Sequence, residues 1–157
     1  MAANSKAATE SFRELLYTAF PVAIAMQVGV DTFRENQVVL RAPIAPNKNV
    51  HGTGFAGSLY SVAALACWGL AHGWIERASQ KVTLLIGRGE IEYNKPIRDE
   101  FTATASIDDN LIRDIFLDEV SLGKRAQVEL VAVIASQSET TATFKGDFIV
   151  LEKGRNI

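Results

Sequence analysis

The chain has 157 residues, 48% hydrophobic and 22% charged, values that are typical of one folded domain with one core. Its 16 basic and 18 acidic residues give a net charge of -2, without the basic excess expected of a nucleic-acid-binding protein. The single cysteine, Cys67, excludes an intrachain disulfide and a Cys₂His₂ zinc site, and its apolar surroundings predict a buried side chain.

The first ten residues are polar and rich in Ala and Ser, so residues 1–10 are predicted to be a disordered lead-in. Residues 11–157 are predicted to form a single domain. The lead-in has neither the apolar core of a secretory signal nor the Arg-rich composition of a transit peptide, which predicts a cytoplasmic protein. Ser11 is predicted to cap a short helix with one apolar face, which Pro21 ends.

Two segments with alternating apolar and polar residues predict a β-hairpin. They run from Ala25 to Phe33 and from Val38 to Ala42, with the turn at Glu35-Asn36. The next segment, Ala42 to Thr53, contains two prolines, two asparagines and a glycine, and these residues predict an irregular loop.

The longest predicted helix runs from Gly54 to Trp74 and contains no Asp, Glu, Lys or Arg. At about 1.5 Å per residue it is long enough to cross a bilayer. Four glycines, two serines and His72 make it only weakly apolar, and no basic cluster flanks it, so burial inside protein is favoured over a membrane span. A helix that is apolar on all sides must be covered on all sides, which predicts a curled sheet helped by a second copy of the chain, a homodimer.

Strands are predicted to resume after a polar break at residues 76–80. The alternation changes parity across Gly87-Arg88-Gly89, which predicts a β-bulge at this point. Residues 101–107 alternate as a half-buried strand does.

The rest of the chain is predicted to end in two strands, Arg125 to Ser136 and Thr140 to Glu152, joined by a hairpin turn at Gln137-Ser138-Glu139. Before them, Asp108 to Lys124 is a charged connection with a helical turn near Leu111 to Leu117. Most strands can pair with a neighbour in sequence, which predicts an antiparallel sheet and the α+β class.

The start of the long helix is the predicted site of chemistry. Thr53 is the predicted N-cap, and the amides near Gly54, Phe55 and Ala56 would then lack intrahelical acceptors. Such amides, at the positive end of the helix dipole, can polarise a carbonyl and stabilise the oxyanion formed when water attacks it. His51 could orient or deprotonate that water, whereas Asn47 could hold water or a carbonyl without acting as a base. Alternatively, the polar side chains of the loop only tie the loop to itself.

Other motifs do not fit. The segment Gly54-Phe-Ala-Gly57-Ser58 is not a Gly-x-Ser-x-Gly elbow, and no local signature supports a Ser-His-acid triad. Gly87-Arg88-Gly89 is neither a phosphate loop nor a dinucleotide fingerprint, because the strand pattern runs through it. With two histidines and one cysteine in the chain, no metal site is expected.

Two segments are similar to a known family. Residues 47–60, Asn-Lys-Asn-Val-His-Gly-Thr-Gly-Phe-Ala-Gly-Ser-Leu-Tyr, continuing to Cys67-Trp-Gly-Leu70, resemble the thioesterase domain of the YiiD C-terminal type, a branch of the hotdog-fold superfamily. Ile91-Glu-Tyr-Asn-Lys-Pro96 resembles the strand ending in aromatic-x-x-Pro that is common in hotdog proteins. The order of elements matches from about Phe12 to Leu151.

The resemblance implies an antiparallel sheet wrapped round one long helix, dimers whose sheets join edge to edge, and often tetramers made of two dimers. It implies hydrolysis of acyl thioesters of coenzyme A or acyl carrier protein, with no metal and no cofactor beyond the coenzyme A of the substrate. It also implies that a backbone amide between Gly52 and Phe55 polarises the carbonyl. Many hotdog thioesterases use an Asp or Glu on the central helix or in the loop before it. Here the helix has none, and Asn47 stands in the loop.

Several mechanisms stay open at this point. His51 or a residue of a partner chain acts as the base, or Asn47, Ser58 and Tyr60 position the water, or the chain binds acyl thioesters and hydrolyses them poorly. A hotdog dehydratase would need a carboxylate on the helix and fits least. The candidate catalytic residues are Asn47, His51, Gly52, Gly54 and Ser58. The candidate substrate contacts are Asn49, Phe55, Tyr60, Ser61, Tyr93, Lys124 and Arg125, the last two for the phosphates of a coenzyme A tail.

Overall fold

The computed structural model describes residues 2–151, with side chains from residue 6 onward. Met1 and residues 152–157, which include Glu152 of the last predicted strand, lie outside the described residues. The helices in chain order are α1 (Ala2–Ala19), α2 (Val22–Ala25), α3 (Ala56–Arg77) and α4 (Asn110–Ser121), and a 3₁₀ turn spans Ala45–Asn47. The strands are β1 (Gly29–Phe33), β2 (Gln37–Ala42), β3 (Leu84–Tyr93), β4 (Phe101–Ser106), β5 (Ala126–Ser136) and β6 (Glu139–Val150).

The six strands form one antiparallel sheet in the order β1-β2-β4-β5-β6-β3. Alternate residues of β4 and β5 are buried, because one face of the sheet packs on α3 while the other faces solvent. The predicted antiparallel sheet around one long helix, and with it the α+β class, is confirmed. The strands β1 and β3 form the two edges of the sheet.

The core is built round α3, a helix of 22 residues of which 13 are buried. It begins two residues later than predicted and ends at Arg77, whose charge suits the negative end of the helix dipole. The predicted N-cap, Thr53, is wrong, since Phe55 is the N-cap and no side chain caps the first turn. Within residues 2–151, no helix has both the length and the apolar character needed to span a membrane.

Helix α1 is a correction to the sequence prediction. Residues 2–10 belong to this helix, so they are not a disordered lead-in, and Ser11 lies inside the helix rather than at its start. The segment Ala2–Ala19 contains no Gly or Pro and is rich in Ala, so nothing in its composition interrupts a helix. Burial of Phe12 and Leu16 against the core supplies the tertiary contacts that an isolated helix of this length needs.

One chain covers most of α3 by itself. The ring of Phe12 lies over Gly69, where a Cβ atom would be 2.4 Å from Phe12 Cζ. At the end of the helix, Phe116 of α4 meets the ring of Trp74, with centroids 6.2 Å apart. The predicted homodimer is therefore not required to bury α3. A half-buried stripe remains on the helix, formed by Tyr60, Ser61, Ala64, Trp68 and His72.

The predicted hairpin is correct at its turn, where Arg34 N donates to Gln37 O (2.8 Å). Its first strand is shorter than predicted, because the chain after Pro21 forms helix α2 and β1 begins only at Gly29. Met26 and Val28, which suggested alternation, are buried in the turn between α2 and β1.

The elements after α3 are of the types that the sequence predicts. The predicted bulge is present, since the register of β3 on β6 shifts between Ile86 and Arg88. The predicted helical turn is a full helix of 12 residues, α4, because Asp109 caps it by accepting a hydrogen bond from Leu111 N (2.9 Å).

We expect Gly69→Ala to destabilise the fold by about 1–3 kcal/mol, even though Ala is the better helix former. The added methyl group meets the Phe12 ring, which is itself stacked on Phe33 with centroids 4.1 Å apart. Urea unfolding of the single variants and of Gly69→Ala/Phe12→Leu measures the effect. Because the two positions share one contact, the double variant should be more stable than the sum of the two losses predicts. Strict additivity would contradict the contact.

Candidate active site

A cleft of about 260 Å³ opens at the start of α3. One wall is the helix start, through Gly54, Ala56 and Leu59, and the other is formed by residues 93–97, which follow β3. Asn49 of the preceding loop lines one side. The cleft therefore lies where the sequence predicts the chemistry.

Two backbone hydrogen bonds fasten the chain just before the helix. Gly54 N donates to Ile97 O and Phe55 N donates to Asn47 O, each at 2.7 Å. A Cβ atom at position 54 would lie 3.3 Å from Leu59 Cδ2 and 3.4 Å from Ile97 Cβ, so glycine is the residue that allows this close approach. These bonds bring the two walls of the cleft together.

Most of the amides that were predicted to polarise a carbonyl already have an acceptor. Besides those of Gly54 and Phe55, Gly52 N donates to Asn49 O (3.1 Å) and Thr53 N to Asn49 Oδ1 (3.1 Å). The four amides from Gly52 to Phe55 therefore have acceptors within the chain and are not free to bind a carbonyl in this structure. Of the predicted amides, that of Ala56 remains, and it lies in the first turn of α3, where helical geometry provides no acceptor for residues 56–58.

Asn47, a candidate catalytic residue, is 1% exposed and fastens the loop. Its Nδ2 donates to Met26 O (2.8 Å) and Pro43 O (2.7 Å), which uses both of its N–H groups. Its Oδ1 is buried without a partner among the described residues. Asn47 therefore joins the α2–β1 turn, the end of β2 and the helix start, and it has no donor left to hold a water at the cleft.

The loop before the helix is tied to itself, as the alternative interpretation predicted. Asn49 Oδ1 accepts from His51 N (2.9 Å) and Thr53 N, while Asn49 Nδ2 donates to Thr53 Oγ1 (2.9 Å). Gly52 has a φ of +74°, a conformation that glycine adopts without strain. His51 is exposed beside these hydrogen bonds and does not itself line the cleft.

Tyr93 connects the end of β3 to the helix start. Its hydroxyl donates to Ala56 O at 2.8 Å across the mouth of the cleft. Burial, together with the nearby Tyr60, raises the pKa of Tyr93, so the hydroxyl stays protonated and remains a donor at neutral pH. The aromatic-x-x-Pro motif thus supplies both this bond and the wall that ends at Ile97. Sequence reasoning took Tyr93 as a contact and missed residues 94–97.

The remaining candidates on the helix pack rather than line the cleft. Ser61 Oγ donates to Gly57 O one turn back (2.8 Å), and Ser58 is buried. The ring of Tyr60 meets Phe144 edge to face at 5.0 Å. Its hydroxyl occupies the space left by Gly89, where a Cβ atom would be 2.0 Å away. Phe55 is 53% exposed, with its ring across Gly57.

Lys124 and Arg125 lie at the opposite end of the sheet from the cleft. They precede Ala126, whose partner Val150 also pairs with Leu84 at the start of β3, whereas Tyr93 stands at the other end of that strand. At about 3.3 Å per residue the two ends of β3 are about 30 Å apart. Within one chain these residues therefore do not reach the cleft.

Within residues 2–151, no carboxylate lines the cleft, and no group of three or more His, Cys, Asp and Glu could hold a metal ion. Cys67 is buried in the middle of α3, and burial raises the pKa of its thiol, so it is not a nucleophile. The cleft can thus receive a polarised oxygen at the open amides of the helix, beside neutral polar side chains and Lys95.

The chain is similar to three solved structures that share this architecture. A protein of unknown function from Chlorobaculum tepidum TLS is 21% identical, with 92% of this chain and 94% of that chain covered and a TM-score of 0.84. A "putative thioesterase" from Shewanella oneidensis is 24% identical (93% and 99% covered, TM-score 0.83). A thioesterase from Haemophilus influenzae is 12% identical (94% and 93% covered, TM-score 0.71). At these identities the similarity shows the fold, which is the hotdog fold.

Membership of a family rests on the match to a family model. The family model described as "Putative thioesterase (yiiD_Cterm)" matches residues 9–152, nearly the whole chain. The motif before α3, the long helix and the wrapped sheet are all inside this match. The chain therefore belongs to the thioesterase family of the YiiD C-terminal type.

Proposed function

We propose that this protein hydrolyses acyl thioesters, with coenzyme A as the carrier and acyl carrier protein as the alternative, at the cleft where α3 begins. The observation that supports the proposal is the first turn of α3. Its amides, residues 56–58, lack intrahelical acceptors, and Ala56 lines the cleft. Family membership adds the reaction class, thioester hydrolysis.

The proposed reaction needs little beyond these amides and a water molecule. The thioester carbonyl oxygen accepts hydrogen bonds from the first-turn amides, at the positive end of the helix dipole. Water attacks the carbonyl carbon, and negative charge builds up on the oxygen where the amides already point. The carbon–sulfur bond then breaks, releasing a carboxylic acid and a thiol. Removal of one such donor typically costs about 10²–10³ in rate.

Activation of the water is assigned to His51. Its backbone amide is held by Asn49, which lines the cleft, and its exposed imidazole can accept a proton. The alternative in which Asn47, Ser58 and Tyr60 position the water has less support, because all three are engaged in packing or in backbone contacts. Asn94 lines the cleft with an amide side chain that could orient the water, whereas the Asn49 side chain already holds the loop.

A second function is favoured by one observation: no carboxylate from the described part of the chain lines the cleft. A cleft that binds the carbonyl but activates water poorly would be an acyl-thioester binding module. Binding and turnover therefore have to be measured separately.

The proposal includes a homodimer joined along β3, with a tetramer of two such dimers as a further possibility, in the cytoplasm. Strand β3 has ten residues and an edge that no strand of the same chain covers among residues 2–151. Ile86 and Tyr93 on it are 44% and 46% exposed. Antiparallel pairing of two β3 strands would place the start of one beside the end of the other, and so bring positions 124 and 125 of a second copy towards the cleft.

Purified protein should hydrolyse at least one member of a panel of acyl-CoA thioesters of different chain length, measured by release of free thiol. His51→Ala should lower kcat by at least about 10²-fold, as expected for loss of a general base. His72→Gln is the matched control, since His72 lies on α3 stacked on Trp68, and kcat should not change. Binding of acyl-CoA without turnover would instead favour the binding module. An unchanged kcat in His51→Ala would remove His51 from the mechanism.

Tyr93→Phe should lower kcat about tenfold, because loss of its bond to Ala56 O loosens the first turn that receives the carbonyl. Tyr17→Phe is the control, since the Tyr17 hydroxyl donates to a backbone carbonyl, Val28 O, at 2.9 Å away from the cleft. Both variants should lose about 1 kcal/mol of stability, and only Tyr93→Phe should lose activity. Equal loss of activity in both variants would contradict the positioning role.

The dimer is tested by the mass in solution. One chain has a mass of 17.1 kDa, so light scattering should give a multiple of this value. Ile86→Lys, a charge on the exposed edge, should shift the protein towards the single-chain mass. A wild-type protein with the mass of one chain would contradict the proposed assembly.

A further inference from the structure

Three basic residues lie on stretches of backbone that line or adjoin the cleft. Lys95 lines the cleft itself. Lys48 is paired with Gly54 in an isolated antiparallel bridge, and Arg98 follows Ile97, whose carbonyl accepts the Gly54 amide at 2.7 Å. The three residues are all exposed. We call Lys48, Lys95 and Arg98 the basic rim.

Two of these charges are uncompensated by direct contacts. Lys48 and Arg98 form no ion pair within the described part of the chain. Of the acids that follow Arg98, Glu100 is paired with Arg41 (3.2 Å), and Asp99 accepts from the neutral amide of Gln137 (2.7 Å). Because Gln137 is neutral, the Asp99 carboxylate remains as one negative charge beside the rim. The three basic residues of the rim still outnumber it.

The third positive charge, that of Lys95, is paired with a carboxylate that a ligand can replace. Lys95 Nζ contacts Glu139 Oε1, and the two side chains are 52% and 59% exposed. An ion pair this exposed is weak, so a phosphate that approaches the mouth can replace the carboxylate at little cost. Glu139 therefore competes with an incoming anion for Lys95.

We infer that the basic rim binds the phosphate groups of the thiol carrier that brings the acyl group. This inference rests on the proposed thioesterase function. With the thioester carbonyl at the first turn of α3, the carrier must leave the cleft through its mouth, past the rim. The thiol arms of coenzyme A and of acyl carrier protein both carry a phosphate, and Lys and Arg bind phosphate by charge-assisted hydrogen bonds. In one chain, the rim replaces Lys124 and Arg125 as the phosphate contact.

The experiment compares two substrates with the same acyl group, an acyl-CoA and the acyl thioester of N-acetylcysteamine, which has no phosphate. Each of Lys48→Glu, Lys95→Glu and Arg98→Glu should raise KM for the acyl-CoA by about fivefold to tenfold with kcat unchanged. KM for the N-acetylcysteamine thioester should not move. Glu139→Gln should lower KM for the acyl-CoA, because it releases Lys95. Added salt should raise the wild-type KM more than that of the rim variants.

Arg34→Glu is the matched control, an exposed arginine in the β1–β2 turn at the other edge of the sheet, and it should leave both KM values unchanged. The acyl thioesters of phosphopantetheine and of acyl carrier protein identify the source of the phosphate. A rise in KM shared by every phosphate-bearing substrate supports binding of the pantetheine phosphate, and a rise limited to acyl-CoA supports binding of its nucleotide phosphates.

Other outcomes overturn the inference. It is wrong if the rim variants leave KM for acyl-CoA unchanged, if KM rises equally for the phosphate-free thioester, or if only Lys124→Glu and Arg125→Glu raise it. Calorimetry with coenzyme A alone separates this inference from the proposed function. If no thioester is hydrolysed, weaker binding of coenzyme A in the rim variants than in Arg34→Glu still supports the rim, and equal binding rejects it.

Discussion

The start of α3 is fixed by two backbone hydrogen bonds that come from opposite sides. Gly54 N binds Ile97 O, beyond β3, and Phe55 N binds Asn47 O, in the loop after β2. Without these bonds both N–H groups would lack an acceptor next to a helix end. A buried donor without an acceptor lowers the stability of the fold by about 1–3 kcal/mol. Their use decides which amides remain open, because the first residue with no acceptor becomes Ala56. The position of the candidate active site is thus set by contacts outside the helix.

The cleft exists because the same two bonds draw the wall after β3 against the helix. Gly54 permits this approach, and Tyr93 closes the arrangement by donating to Ala56 O. Asn47 supports it from behind with three hydrogen bonds, two from its side chain and one to its carbonyl. A buried polar network of this kind is costly unless nearly every member is satisfied, which makes its geometry sharply defined. The open amides are therefore held in place before substrate binds.

The sequence predicted the elements better than it predicted their ends. Periodicity identifies the strands and α3, since each depends on residues close together in the chain. The sequence could not predict where α3 begins, because the Gly54 amide is bound by Ile97, which follows a whole strand later in the chain. No local pattern encodes that contact. Thr53 is favoured as an N-cap only by its residue type. Helix α1 was missed in residues 2–10 for the opposite reason: the segment has no periodic apolar face of its own, and Ala-rich composition alone was read as disorder.

For the candidate site, the sequence likewise predicted the location better than the role of each residue. The motif from Asn47 to Ser58 pointed to the end of α3 where the cleft opens, but it did not separate residues that hold the loop from residues that line the cleft. Asn47, Asn49 and Gly52 all proved to hold the backbone in place. In this chain most of the polar residues of the motif hold the backbone, so the motif by itself overstates the number of groups that could react.

A cleft without a carboxylate alters the balance of the proposed chemistry. General-base assistance is typically worth about 10²–10⁴ in rate, and one oxyanion donor about 10²–10³. In the proposed mechanism the first-turn amides supply the oxyanion contribution as they stand, whereas the proposed base, His51, does not line the cleft. Its contribution therefore requires the imidazole to approach the carbonyl when substrate binds. His51 N donates to the side-chain Oδ1 of Asn49, outside the first turn of α3, so substitution of the His51 side chain removes the proposed base and leaves the first-turn amides in place. The two contributions can therefore be measured separately.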